Sequence, residues 1–455
     1  MKINKKIYVF IIVVIVMIIS YRLIVYKTIE VAKIESGNDI TFFVASDTHY
    51  LAETLTDNGE AFQEFINSGD GKQLGYIHEI MNAFENDIKE KKPDILIISG
   101  DLTSNGEKES HLELAKRLTR IEKMGTSVYV IPGNHDIFNP YARGFKGDKQ
   151  YLTSFISDKD FGEIYMNFGY KEALSRDKTT LSYLATPTED VWLLMLDTAQ
   201  YENNTALGVP QIDGRIASET IEWIKQCSDL AKSKGAQLIA VMHHNLLNHS
   251  DTVREGFTIN NSEDIVKLFQ RNDISLALSG HIHLQDIKSH KNEKNSIYDI
   301  ATGCISIYPQ KYGVLKYSKQ NGMDYSTNGV DVENWSKGNG IVDKNLNNFN
   351  EFSKKQYGDK IYSKIVSRLA ITDAYTTEEL ILMGETYKAL NLRYFEGAKE
   401  VGTNEIKNSQ GFKLWLSSEQ NFSQRNLLRI ANFNGEDNNK LHIPNSQISK
   451  QSKNR

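Results

Sequence analysis

Five short polar clusters, each directly after an apolar run typical of a β-strand, constrain the fold of this chain most strongly. The clusters are Asp47-Thr48-His49, Gly100-Asp101, Gly133-Asn134-His135-Asp136, His243-His244 and Gly280-His281-Ile282-His283, and they follow residues 41–46, 94–99, 127–132, 237–242 and 274–279. In α/β proteins the chemistry lies where neighbouring strands end at the same edge of a sheet. The pattern therefore predicts an α/β fold that brings these clusters together.

The rest of the chain predicts two structural regions. Helical patterns at 74–91, 107–123, 218–234 and 262–271 alternate with the strand-like runs, which favours α/β layers as far as about residue 280. A strand is predicted at 191–197, and shorter runs at 296–300, 306–308 and 313–317 suit a second sheet. A linker at 333–340 precedes helix-like stretches at 345–355, 360–369 and 377–394, the last with a capping-box pattern at Thr376–Glu379. A small helical domain is expected there.

The N-terminus predicts a membrane anchor. Residues 7–26 are apolar except for Ser20 and Arg22, and three lysines precede them. About 20 apolar residues span a bilayer, and lysines before the span favour an N-terminus inside the cell. We therefore expect a basic cytoplasmic segment at 1–6, a signal anchor at 7–26, a spacer at 27–40 and a cell-membrane location with the rest of the chain outside. Cleavage of the anchor, which would release a secreted protein, is the alternative left open.

Composition limits the partners and the redox chemistry. The net charge of −5 over 455 residues gives no general reason to expect nucleic-acid binding, which normally needs a basic face. Only two cysteines are present, so the chain has no disulfide framework. Cys304 ends an apolar run, where a buried, inert thiol is expected.

The clusters supply carboxylates, an amide and imidazoles, which suit two divalent metal ions. Residues two apart in an extended segment project to one side, so Asp47 and His49 can bind one ion together, as can His281 and His283. Each cluster alone could be a turn or a hydrogen-bonded pair, so the prediction rests on their conjunction. Manganese, iron and zinc all suit these donors, and the sequence leaves the choice open.

In this order the clusters resemble the calcineurin-like metallophosphoesterase superfamily, whose pattern is DxH, GD, GNH[DE], H and GHxH, over roughly residues 41–310. Residues 101–107 and 242–244 resemble the bacterial class III cyclic-nucleotide phosphodiesterases. The chain is similar to secreted or membrane-anchored enzymes of Gram-positive bacteria that carry an extra C-terminal helical domain. One departure is Asn245, which stands where many relatives have proline.

The resemblance implies a fold and a ligand set. The fold is a two-sheet β-sandwich flanked by helices (α/β/β/α) over residues 41–332, followed by a helical domain at 341–433 and a polar tail at 434–455 that is predicted to be disordered. Asp47, His49 and His283 would bind one metal ion, Asn134, His243 and His281 the other, and Asp101 would bridge them. His135 would act on the phosphoryl group, with Asp136 orienting its ring. His244 would lie behind the ligands. Asp197 is a weaker candidate for the site, and a structural role in a turn at the end of its strand is equally consistent with the sequence.

The implied reaction is hydrolysis of a small phosphodiester by metal-hydroxide attack, and a cyclic nucleotide is the first candidate substrate. An extracellular location would favour glycerophosphodiesters, cell-wall polymers or nucleotide monoesters instead. A different kind of hypothesis is that the chain is a catalytically silent, metal-binding scaffold at the cell surface. The helical domain would then bind a partner.

Overall fold

The computed structural model describes residues 34–250, 255–291, 296–433 and 437–445. The strands are β1 Ile40–Ala45, β2 Ile95–Ile98, β3 Ser127–Val130, β4 Arg143–Lys146, β5 Lys149–Leu152, β6 Ser175–Arg176, β7 Tyr183–Ala185, β8 Val191–Leu196, β9 Gln237–Met242, β10 Leu276–Ser279, β11 Asp286–Lys291, β12 Ser296–Ala301, β13 Lys311–Ser318, β14 Gly322–Gly329 and β15 Lys440–Ile443. The helices are α1 Glu60–Ser68, α2 Ile77–Lys91, α3 Lys108–Lys123, α4 Asp158–Ile164, α5 Asn204–Leu207, α6 Ser218–Lys234, α7 Ser262–Arg271, α8 Val332–Gly338, α9 Phe349–Ala370, α10 Thr377–Phe395, α11 Asn404–Asn408, α12 Gln410–Ser417 and α13 Phe422–Ala431.

Two mixed sheets form the centre of the fold. The six-stranded sheet has the order β15-β14-β13-β1-β2-β3, and the seven-stranded sheet has the order β11-β12-β10-β9-β8-β7-β6. Strands β1, β2 and β3 run parallel, as do β8, β9, β10 and β12. Parallel strands end at the same edge of a sheet, so the polar clusters that follow β1, β2, β3, β9 and β10 are carried towards one another.

Strand β8 shows why the sheets form layers. Leu193 and Met195 belong to the large apolar cluster that both sheets share, while Leu194 and Leu196 face a second cluster with Trp223 of α6. Successive residues of a strand point to opposite faces, so a run that is apolar throughout can be buried on both sides. The result is the α/β sandwich with flanking helices that the sequence predicted.

The C-terminal helices have an apolar cluster of their own. It contains Ile365 of α9, Met383 of α10 and Trp415 of α12, and it also includes Leu284, with Ile282 packed against it. Ile282 and Leu284 alternate with His281 and His283. The helical region therefore holds one side of the segment whose other side carries predicted metal ligands.

The structure corrects several details of the sequence-based organisation. The predicted stretches 345–355 and 360–369 are one helix, α9, and the predicted linker at 333–340 contains α8. Strand β13 pairs with β1 in the first sheet rather than the second, and residues 306–308 are not a strand. The tail is not disordered throughout, as was predicted, because Lys440–Ile443 form β15, which pairs antiparallel with β14. The boundaries at 332, 341 and 433 stay predictions.

The predicted membrane location is corrected as well. No helix within the described residues, which begin at Ile34, is long and apolar enough to cross a bilayer, so single-pass anchoring is not supported. Residues 7–26, on which the anchor was predicted, lie outside the described part of the chain.

Candidate metal centre

The candidate ligands lie in loops whose backbone is unusual for residues with side chains. Asp47, His49, Asp101, His281 and His283 all have positive φ angles, between 43° and 66°. Such angles are rare outside glycine and cost free energy, and they concentrate at functional sites. Hydrogen bonds between the loops hold this shape, since His49 N donates to the Asp101 carbonyl oxygen at 3.0 Å.

The first group of donor atoms comes from Asp47, His49, Asp101 and His283, which can converge on one ion. The Nε2 atoms of His49 and His283 are 3.1 Å apart, and Asp47 Oδ1 lies 3.3 Å from His283 Nε2. Asp101 Oδ2 lies 3.7 Å from His49 Nε2. These four residues join the ends of β1, β2 and β10.

The second group comes from Asp101, His243 and His281. Asp101 Oδ1 lies 3.3 Å from His243 Nε2, and Asn134 Oδ1 lies 3.1 Å from the same nitrogen. Asp101 therefore belongs to both groups and offers one oxygen to each. This is the geometry that a bridging carboxylate requires.

Hydrogen bonds to carbonyl oxygens fix the tautomers of two imidazoles. A carbonyl only accepts, so His243 Nδ1 donates to Ser99 O at 2.9 Å and His281 Nε2 donates to Gly256 O at 2.8 Å. The other nitrogen of each ring then faces the site and, when it carries no proton, can offer its lone pair to a metal ion. Fixing a ligand ring through its second nitrogen is the usual arrangement around metals.

The unpartnered atoms indicate that these residues fit cations. Asp47 Oδ1 and His281 Nδ1 are buried without a hydrogen-bond partner in the described residues. Burial alone would lower the pKa of His243, but Asp101 outweighs it and raises the pKa to about 9. The pocket therefore attracts positive charge, and buried acceptors of this kind are satisfied by a divalent ion.

His135 stands at the edge of the two groups. Its Nδ1 donates to Ser104 O at 2.7 Å, and its Nε2 lies 4.0 Å from Asp101 Oδ2. The side chain is 24% exposed, whereas that of His49 is fully buried. Its Nε2 is thus available to a molecule that enters the site.

The predicted role of Asp136 in orienting His135 is corrected. The carboxylate of Asp136 accepts hydrogen bonds from the backbone N–H groups of Leu102, Thr103 and Gly133 at 2.8–3.1 Å. The ring of His135 is held instead by the carbonyl of Ser104. Asp136 therefore ties the loop after β2 to the loop after β3.

Asn245 explains the departure from the family pattern. Its backbone N–H donates to Phe257 O at 3.0 Å, a bond that proline cannot make. Its side-chain Nδ2 donates to Ser279 Oγ and to Gly280 O at 2.9 and 3.0 Å. The loop after β9 is thereby joined to the loop that carries His281.

His244 was expected to lie behind the ligands. Its two ring nitrogens form hydrogen bonds with Thr198 Oγ1 and Ile212 O.

A buried ion network continues from this junction. Ser279 Oγ donates to Asp299 Oδ1 at 2.8 Å, and the ring of His249 lies between Asp286 and Asp299 at 2.8 and 3.1 Å. Burial lowers the pKa of His249, but the two carboxylates outweigh it and raise the pKa to about 9. The charged histidine therefore stabilises the folded state.

This network predicts a pH-dependent effect of His249→Gln. Because the folded-state pKa is raised, the stabilisation is present in full below about pH 6.5 and is lost as the pH rises through about 9. We expect the variant to lose on the order of 3 kcal/mol of unfolding free energy at pH 6 and much less at pH 10. Urea unfolding at both pH values measures this difference. His442→Gln, at an exposed histidine paired with Asp324, is the matched control and should change little at either pH. An equal loss for His249→Gln at both pH values would contradict the assignment.

Three further residues reach the site without a signal in the sequence. Lys72 and Asp70, in the loop after α1, form an ion pair of 2.9 Å, and Asp70 Oδ2 lies 4.0 Å from His283 Nδ1. Cys304 Sγ can share an ion with His49 and His283, although no thiol was predicted there. Its thiol is buried, as predicted, and donates to Asp47 O at 3.1 Å. Sequence position alone does not place these loops beside the strand ends.

Asp197 lies at the end of β8, outside both donor groups. Its carboxylate accepts from Tyr201 Oη at 2.9 Å and from two backbone N–H groups at 3.1 and 3.2 Å. The turn role is the one that these contacts support.

The chain belongs to the calcineurin-like phosphoesterase family, whose model matches residues 40–285. A second model, the C-terminal domain of cyclic nucleotide phosphodiesterase, matches residues 331–437. These matches confirm the resemblance drawn from the motifs and the fold class that it implied.

Curated relatives and a solved structure were also found. The chain is 24% identical over 217 residues to a probable cyclic nucleotide phosphodiesterase of Psychrobacter sp. (strain PRwf-1), covering 46% of this chain and 54% of that protein. It is 23% identical over 199 residues to a probable cyclic nucleotide phosphodiesterase of Synechococcus sp. (strain ATCC 27144 / PCC 6301 / SAUG 1402/1), covering 43% and 60%. The matches thus span little more than half the length of these relatives. A dimetal phosphatase from Danio rerio aligns with a TM-score of 0.46 and 11% identity, over 64% of this chain and 96% of that one.

Proposed function

We propose that this chain is a metal-dependent phosphoesterase that hydrolyses small phosphodiesters, with cyclic nucleotides as the first candidate substrates. One observation carries the proposal: two groups of buried donor atoms share the single carboxylate of Asp101. The roles predicted for Asp47, His49, Asn134, His243, His281 and His283 as ligands and for His135 as a catalytic residue are part of the same proposal. The names of the curated relatives support the substrate class.

The chain's own residues have distinct tasks in this reaction. When bound, two divalent ions would activate water and neutralise the charge on the phosphoryl oxygens. Asp101 holds the two ion positions together, and the neutral imidazoles of His49 and His281 keep their lone pairs because burial lowers their pKa values. Because these residues are buried, they limit bulk water around the reacting phosphorus.

His135 is the candidate proton donor to the departing oxygen. Its Nδ1–H is committed to Ser104 O, so only Nε2 can pass a proton to the substrate. Burial lowers the pKa of His135, which means that the ring is neutral until negative charge arrives beside it. A bound phosphoryl group brings that charge and favours the imidazolium form. A silent scaffold would not need a histidine aimed in this way.

The test is a hydrolysis assay across substrate classes. We expect the purified protein to hydrolyse bis(p-nitrophenyl) phosphate with added Mn²⁺, to lose that activity with a chelator and to regain it when Mn²⁺ is returned. Rates on cyclic AMP, a glycerophosphodiester and p-nitrophenyl phosphate then rank the substrate classes. A folded, metal-loaded protein that is inert towards all four compounds would refute the proposal.

A further inference from the structure

A polar cavity lies beside the metal centre, where the helical region meets the α/β sandwich. Its volume is about 920 Å³. One wall comes from α1 and the loop after it, and the opposite wall comes from α9. The lining side chains that matter here are Gln63, Lys72, Gln356, Lys360, Ser363 and Lys364.

The loop that separates the cavity from the metal centre is held on both sides. A Cβ atom at Gly71 would lie 2.6 Å from the Tyr357 ring of α9, so the loop packs directly against that helix. Lys360 Nζ donates to Ile66 O at 2.7 Å. On the other side, Gln73 N donates to Ser306 O at 2.7 Å. The cavity is therefore built from fixed segments of both regions.

Lys72 borders both the cavity and the metal centre. It lines the cavity wall, and its partner Asp70 lies 4.0 Å from His283 Nδ1. A molecule whose phosphorus lies over the metal centre can thus extend past Lys72 into the cavity.

The cavity carries an excess of positive charge. Lys72 is balanced by Asp70, and Asp359 on the wall is already paired with Lys355 and Lys388. Lys364 is exposed and makes no ion pair within the described residues. Burial lowers the pKa of Lys360; the charge of Asp70 opposes this in part, and the charges of Lys364 and Lys72 lower the pKa further. An anion bound between the three ammonium groups would relieve this repulsion.

We propose that this cavity binds a second anionic group of the substrate, a phosphate on the part that extends away from the reacting phosphorus. This inference rests on the proposed function and narrows it to phosphodiesters that carry a further phosphate. A phosphate monoester has a charge of about −1.5 to −2 at pH 7 and can accept hydrogen bonds on three oxygens. Lysines bind such groups as mobile point charges, and the amides of Gln63 and Gln356 can donate to the remaining oxygens.

The experiment compares two substrates that differ by one phosphate: the linear dinucleotides pApA and ApA. We expect kcat/KM for pApA to exceed that for ApA by about tenfold at low salt, mainly through KM, and the ratio to fall as salt is added. Lys364 is exposed, so Lys364→Gln should not disturb folding. We expect this variant and Lys360→Gln to bring the ratio of kcat/KM for pApA to that for ApA towards one. Lys413→Gln removes the same charge from an exposed position on α12 and should keep the wild-type ratio.

A binding measurement separates this inference from the proposed function. Calorimetric titration of metal-free protein with pApA and ApA should show the same preference without turnover, and Lys364→Gln should reduce it. If bis(p-nitrophenyl) phosphate is hydrolysed but pApA and ApA are bound and cleaved equally, the cavity is not a phosphate subsite. If the protein hydrolyses none of the substrates but binds pApA more tightly than ApA, the proposed function is refuted and the phosphate subsite is supported. An equal loss of preference in Lys413→Gln would show that overall charge, not this cavity, produces the effect.

Discussion

Asp101→Asn is expected to reduce kcat/KM for bis(p-nitrophenyl) phosphate by about a thousandfold or more. The substitution keeps the size of the side chain and the oxygen that accepts from His135 N at 2.9 Å. It removes the negative charge between the two donor groups, where Oδ1 lies 3.3 Å from His243 Nε2 and Oδ2 lies 3.7 Å from His49 Nε2. An amide has a single oxygen and no charge, so it cannot bridge the two ion positions, and the metal content should fall with the activity.

Elemental analysis after dialysis, together with steady-state kinetics, measures both effects. Asp197→Asn is the matched control, since it neutralises another buried carboxyl group at a strand end. Burial raises the pKa of Asp197 to about 7, so the loss of its charge should cost little. An Asp101→Asn protein with wild-type metal content and activity within tenfold of wild type would show that Asp101 does not bridge.

Gly133→Ala is expected to have the second-largest effect, although it changes no candidate ligand. A Cβ atom at this position would lie 2.2 Å from Asp101 Oδ1 and 2.3 Å from Asp101 N. Both contacts are far inside van der Waals distance, so Asp101 must move. A displacement of about 1 Å at a reacting centre can cost a hundredfold in rate, and overpacking costs about 1–3 kcal/mol of stability.

Thermal unfolding and kcat/KM together test this expectation. Gly338→Ala is the control, because a Cβ atom there meets no heavy atom within 4 Å and the residue ends α8. That variant should keep both the activity and the stability of the wild type. A Gly133→Ala protein with unchanged activity would mean that the loop can move without displacing Asp101.

Much of the architecture could be predicted from local patterns. Helices α6 and α7 have the bounds that their apolar periodicity indicated, and Thr376 and Glu379 make the predicted capping box at α10. Strand β9 also has the predicted bounds. These features depend on neighbours within a few residues, and the sequence displays such neighbours directly.

Contacts between distant segments could not be predicted in the same way. The partner of the His135 ring is a backbone carbonyl, and every residue has one, so Asp136 was the wrong choice. Strand β15 is short and polar outside Leu441 and Ile443, and only its pairing with β14 makes it a strand. Lys72 reaches the metal centre because α9 holds its loop there.

The sequence by itself determined which chemistry the chain can offer, because ligand types, strand ends and helix periods are local properties. It also determined that each ligand cluster directly follows a strand. The tertiary structure decided which ring nitrogen faces the site, which loops brace it and which residues from elsewhere join it. These features depend on sheet order and on packing between segments far apart in the chain, so no local sequence pattern indicates them.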